Sequence, residues 1–184
     1  RRHRTDRRAY HTIARSVLDR ENVALRRIAV FWLLLLASFG LMPFCAGAES
    51  RLPAARDLAQ EMALNSRDGR VLLVLFSQDG CQWCERVRRE FLLPMQKNAS
   101  YMSRVAFRQI DIDRSTALRD FQNKSTTHAE FARKSGVNVF PTVMLFGPDG
   151  ERLAEPLKGF LGSDFYGFYL DQRIDEAVRR LRGQ

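Results

Sequence analysis

The chain of 184 residues has room for one domain of ordinary size with extensions, and its 45% hydrophobic and 10% aromatic content suffices for a packed core. Its formal charge of +9 is unevenly placed: residues 1–27 carry nine Arg against Asp6, Asp19 and Glu21, residues 28–48 carry no charge, and residues 49–184 carry 21 Lys plus Arg against 18 Asp plus Glu, a net of +3. The folded part is therefore not read as a nucleic-acid binder.

Residues 1–22 read as a basic leader, out of place because an export signal normally begins within a few residues of its arginines. Translation is expected to begin near Val23 or Leu25 from an alternative start codon, which makes 1–22 an over-extended reading frame; an ordinary disordered tail is the other reading. Residues 23–48 read as a signal peptide: Arg26 and Arg27, then the uncharged run Ile28–Ala48, then the small-x-small site Ala46-Gly47-Ala48. Gly40 and Pro43 favour cleavage after Ala48. An uncleaved membrane anchor facing the periplasm is the alternative, because 21 uncharged residues just span a bilayer. Residues 49–184 are then the mature domain, periplasmic or otherwise exported. Cleavage removes Cys45 and leaves Cys81 and Cys84 as the only cysteines, in an oxidising compartment.

Within the mature chain, apolar residues recur at helical spacing over Pro53–Ser66, and Asp68-Gly69 ends the run. Val71–Phe76 is a continuous apolar run, expected as a strand buried on both faces. A loop leads to a helix over Cys81–Leu93, with Val87, Phe91 and Leu92 inward and Glu85, Arg86, Arg88 and Arg89 mostly outward; Pro94 bends or ends it. Residues 104–113 read as a second strand, followed by a polar segment in which Asp120–Thr127 is expected as an exposed loop. Thr127-x-x-Glu130 has capping-box spacing and Gly136 closes that helix. Thr142–Phe146 is a third strand, the GPDG turn comes next, and Arg152–Leu157 is expected to return as a hairpin strand. The last helix runs from Ser163, its expected N-cap, to Leu181, with Phe165, Phe168, Tyr169, Ile174 and Val178 inward. The order predicts an α/β fold: one mixed sheet of about four to five strands flanked by helices in a three-layer sandwich.

Cys81 and Cys84 stand where a buried strand's loop meets a helix start. Unpaired N–H groups and the helix dipole favour a thiolate there. Cys81, in the first turn, is the expected nucleophile, and Cys84, one turn on, the resolving thiol. A structural zinc needs four ligands, and His128 alone cannot complete a site, since His3 and His11 lie in the leader. Covalent haem attachment needs a His where Glu85 stands. A structural bridge closing so short a loop adds little stability. Redox chemistry without metal or cofactor is the favoured reading.

Far along the chain, Phe140-Pro141-Thr142 opens a strand, which suits a residue that cannot donate to a sheet. The C-x-x-C at a strand–helix junction, this proline and the Gly159-Phe160 pair together resemble the thioredoxin family over Val71–Leu181. The resemblance implies that Pro141 is cis and abuts the cysteine pair, that the backbone beside it, at Thr142, pairs with a bound substrate chain, and that Phe140 tunes partner choice. Two departures matter. Gln82-Trp83 replaces the Gly-Pro of cytosolic thioredoxins, and Leu75 stands where they carry an Asp, so the proton acceptor for Cys84 is left open between Glu85 and water. The site looks more like exported thioredoxin-like proteins. Trp83 is expected either as a contact for a substrate chain or as partial packing. No His lies between the cysteines, unlike strong oxidants of the family, and residues 49–70 cannot supply the dimerisation domain of an isomerase. A monomeric reductase of protein disulfides is expected, fed by a membrane or exported thiol donor. A non-catalytic binding or chaperone module and an oxidase or isomerase of the same fold are the alternatives.

Overall fold

The computed structural model describes residues 51–160 and 162–183, so the expected leader, signal peptide and cleavage site lie outside the described residues. The elements are α1 (Leu58–Arg67), β1 (Val71–Ser77), α2 (Gln82–Val87), a π-helical turn (Arg88–Leu92), α3 (Leu93–Lys97), α4 (Ala99–Met102), β2 (Val105–Asp111), β3 (Ala117–Arg119), β4 (Ser125–Thr127), α5 (His128–Lys134), β5 (Thr142–Phe146), β6 (Leu157–Lys158) and α6 (Ser163–Leu181). Four strands form one mixed sheet in the order β2-β1-β5-β6, and β3 and β4 form a separate hairpin.

β1 sits at the centre, parallel to β2 and antiparallel to β5, with every residue buried. Its side chains alternate between two cores, as a strand's period of two demands. Val71, Leu73 and Leu75 join Val87, Leu92, Leu170 and Ile174 on one face; Leu72, Val74 and Phe76 join Leu58, Met62, Phe131 and Ala132 on the other. The result is a mixed four-stranded sheet with helices on both faces, the α/β thioredoxin-like architecture expected.

Several local expectations are corrected. The helical period over Pro53–Ser66 yields a helix only from Leu58, with Asp57 as N-cap accepting the Gln60 N–H at 2.8 Å. Pro53 to Ala55 is instead extended along β2: the Gln109 N–H donates to the Pro53 carbonyl and the Ala55 N–H to the Gln109 carbonyl, both at 2.9 Å. Pro94 does not end its helix. Pro94 lacks the N–H that would reach one turn back, and the chain passes it through the π-helical turn, where the Leu93 N–H donates five residues back to Arg88. Asp120–Thr127 is not an open loop: it forms the turn and return strand of the β3–β4 hairpin, with Leu118 and Thr126 buried. Arg152–Leu157 gives an isolated bridge from Arg152 to Phe146 and then only the two-residue β6.

α5 begins as expected on Thr127, whose hydroxyl accepts the Glu130 N–H, and stops before Gly136, which has φ of +70°. α6 begins one residue after Gly162, so Ser163 is its first helical residue rather than its cap. Its inward face is Tyr166, Leu170, Ile174, Ala177 and Val178. Phe165, Phe168 and Tyr169 point outward. Burial follows the stripe containing Ile174 and Val178, and the helical period sets the three aromatics on the opposite side.

Candidate redox site

β1 ends at Ser77, and a three-residue loop closed by Gly80, at φ of +69°, delivers Cys81 to the head of α2. That backbone conformation lies in the left-handed region that glycine adopts without a Cβ penalty. Cys81 is the N-cap. Its Sγ accepts the Cys84 N–H at 3.1 Å, and its carbonyl accepts the Glu85 N–H at 3.1 Å. Cys81 and Cys84 are disulfide-bonded, with Cα atoms 5.3 Å apart. Cys84 is fully buried, whereas Cys81 is half-buried. Only one sulfur of the pair is open to attack, and it is the one that receives a backbone N–H, a donor that stabilises a thiolate.

The Phe140–Pro141 peptide bond is cis. Register places Thr142 opposite Phe76, so Pro141 lies at the same end of the sheet as the cysteine loop. Pro141 and Thr142 are buried and Phe140 is half-buried. The Thr142 hydroxyl donates to the Val139 carbonyl at 2.7 Å, and the Gly159 N–H to the Pro141 carbonyl at 2.7 Å. Trp83 is 43% exposed and stacks on Phe160 at 5.2 Å, nearly parallel. The Arg86 guanidinium lies over the same Phe160 ring, and Phe91 and Tyr166 pack around it. Trp83 thus has one ring face packed and is otherwise partly open.

Of the three arginines after the motif, Arg86 pairs with Glu90, Arg89 is exposed, and Arg88 is buried. Arg88 corrects the outward placement expected of it. It donates from Nε to Gln109 Oε1 at 2.9 Å, from Nη2 to Ser77 Oγ at 3.2 Å, and from Nη1 to Glu85. Gln109 in turn donates to Asp111 at 2.6 Å. Spacing holds the signal that would have revealed it: Arg88 follows Cys84 by four residues and Cys81 by seven, which puts it on their helical face. Leu75 is fully buried, and its register partner on β2 is Gln109. Polarity absent from β1 at that level is supplied from the neighbouring strand. On the β2 side of Cys81 a cavity of about 300 Å³ opens, with Glu85 and Arg88 in its wall.

His128 is fully buried away from the cysteines. Its Nδ1 accepts the Asp111 N–H at 3.0 Å and its Nε2 donates to the Ala55 carbonyl at 2.8 Å. It joins β2, α5 and the segment before α1, and both ring nitrogens are occupied.

Residues 58–172 match the thioredoxin-like domain family. No curated protein matches the chain. Among solved structures it is similar to a thioredoxin-fold protein from Helicobacter pylori (16% identity, 75% of this chain and 96% of that one, TM-score 0.48). It is also similar to oxidized mitochondrial thioredoxin 3 from Saccharomyces cerevisiae (18% identity, 71% and 99%, TM-score 0.47) and to thioredoxin from Fasciola hepatica (21%, 66% and 98%, TM-score 0.45). The family match and the bonded Cys81–Cys84 pair support an oxidoreductase, and the chain belongs to the thioredoxin-like domain family.

Proposed function

We propose that the protein is an exported thiol–disulfide oxidoreductase that works as a monomeric reductase of protein disulfides outside the cytoplasm. One observation carries the reading: an accessible Cys81 bonded to a fully buried Cys84 at a helix head. In the reduced protein the Cys81 thiolate attacks one sulfur of a substrate disulfide. A Cys81–substrate bond forms and the other substrate sulfur leaves as a thiolate. Cys84 loses its proton and attacks Cys81 Sγ, which releases the second substrate thiolate and restores the Cys81–Cys84 disulfide. Two electrons pass to the substrate, and a membrane or exported thiol donor returns them.

Export rests on the uncharged run Ile28–Ala48 and the Ala46-Gly47-Ala48 site. The reductase direction rests on the absence of a His between the cysteines. The substrate chain lies along Pro141 and Thr142, with the open part of Trp83 and Phe140 as side-chain contacts.

A redox titration and a trapping experiment test this. The potential is expected at or below about −200 mV, and a value near about −120 mV overturns the reductase direction. The Cys84→Ala variant is expected to accumulate mixed disulfides with exported proteins, identified by mass spectrometry. A binding or chaperone module traps none.

A further inference from the structure

Cys81 has two unlike flanks. Toward β5 and β6 lie Trp83, Phe160 and the Phe140–Pro141 bond, an aromatic and apolar surface. Toward β2 lies the cavity of about 300 Å³, and neither Trp83, Phe140, Pro141 nor Thr142 lines it. Its wall holds three guanidinium groups, Arg51, Arg88 and Arg114, and three carboxylates, Asp79, Glu85 and Asp111. Cys81 belongs to the wall and the buried Cys84 does not.

The charged groups are not equally engaged. Arg88 is spent on Gln109, Ser77 and Glu85. Arg114 reaches Asp79 only at 3.5 Å, with both side chains exposed. Among the described residues Arg51 makes no ion pair. Arg51 and the loosely held Arg114–Asp79 pair therefore line a small pocket whose wall also includes Cys81. A polypeptide substrate does not fit a cavity of this size; a molecule of amino-acid to short-peptide size does. Balanced opposite charges suit a ligand that itself carries both an ammonium and a carboxylate.

We propose that this cavity binds a zwitterionic low-molecular-weight thiol, a cysteine-like amino acid or short peptide, that exchanges with Cys81 from the side opposite the protein substrate. This rests on the redox reading of the pair but not on its direction. The thiolate of the bound molecule attacks Cys81 Sγ, a mixed disulfide forms, and Cys84 leaves as a thiolate and is protonated. A second thiol then attacks the mixed disulfide, which releases the small-molecule disulfide and the Cys81 thiolate. Two thiols are oxidised and one protein disulfide is reduced.

The test is the rate at which the oxidised full chain is reduced, followed by alkylation of the freed cysteines and mass spectrometry. L-Cysteine is compared with 2-mercaptoethanol at matched thiolate concentration, and each rate is divided by that for dithiothreitol in the same protein. L-Cysteine is expected to saturate and to exceed 2-mercaptoethanol about tenfold, and Arg51→Ala/Arg114→Ala is expected to erase that preference. A preference below about threefold, or one that survives the double substitution, overturns the proposal. No protein substrate enters the assay. If the potential titration refutes a reductase while the cysteine preference holds, the direction falls and the pocket stands.

Discussion

Arg88 and Gln109 meet side chain to side chain, 2.9 Å apart, across the gap between the π-helical turn and β2. The same guanidinium holds Ser77 and Glu85, so one buried cation ties β1, β2 and the cysteine helix together beneath Cys81. Arg88→Met is expected to leave Gln109 and Ser77 without their donor and to lower stability by about 2–3 kcal/mol. Arg88→Lys should recover little, because a single ammonium cannot reach three acceptors in a fork. Urea denaturation of both variants decides this; a loss below about 0.5 kcal/mol for the Met variant would show that the network is dispensable.

His128 serves structure rather than chemistry. His128→Ala removes an acceptor from the Asp111 N–H and a donor from the Ala55 carbonyl, both inside the protein, and opens a cavity. A loss of about 3 kcal/mol is expected, and hydrogen exchange should quicken first at Ala55 and Gln109. Unchanged protection there would refute the clamp.

Tyr166 is fully buried among Phe91 and Phe160, and its hydroxyl has no hydrogen-bond partner among the described residues. Burial pushes its phenol well up from the ordinary tyrosine value. Tyr166→Phe deletes an unmet polar group and keeps the ring, so it is expected to stabilise by about 1 kcal/mol. Thermal denaturation showing a lower Tm would contradict it.

Tyr101 is tied to α6 through a 2.6 Å hydrogen bond to Asp171. Its pKa is pushed up from 10.0 to about 12, first by burial and then by the Asp171 carboxylate that its hydroxyl bonds. A raised phenol pKa favours the neutral form in the folded state. Its stabilisation is complete below pH 10 and is lost as pH rises through about 12. Tyr101→Phe should lose stability at neutral pH and show a shallower decline on the alkaline side, measured by denaturation at a series of pH values. An identical alkaline slope in both proteins would remove Tyr101 from the account.

The substrate-contact role proposed for Trp83 rests on the part of its ring left open. Trp83→Ala gives up the stack on Phe160, which costs about 1 kcal/mol. It should slow the reduction of insulin disulfides about tenfold, a loss larger than the folding defect explains. Insulin reduction at the wild-type rate would assign Trp83 to packing alone.

The sequence made the centre of this fold legible and its edges less so. Val71–Phe76 admitted one solution, because six apolar residues between turn signals need cover on both faces. Thr127 and Gly136 bounded α5 through their own backbone chemistry. The cysteine pair was visible from spacing and from the lack of other ligands. Arg88 was missed because a charge is expected in water until a partner is known, and its partners Gln109 and Ser77 lie on other elements. Phe165, Phe168 and Tyr169 misled through hydrophobicity: as large aromatics they outweighed the stripe through Tyr166 and Leu170 that faces the sheet. Pro53–Ala55 carries a helical period, but the hydrogen bonds that claim it come from Gln109, more than fifty residues away, and local pattern does not encode them.

β2 lies at one border of the four-stranded sheet, where an open row of amides and carbonyls invites another chain to add itself. Here part of that row, toward the end of β2, is already taken. The Phe107 carbonyl accepts from Arg108, the Gln109 amide and carbonyl are taken by Pro53 and Ala55, and the Asp111 amide is taken by His128. The opposite border is β6, two residues long. A sheet partly covered on one side and short on the other offers a reduced template for fibril growth, a protection that matters beside an exposed aromatic such as Trp83.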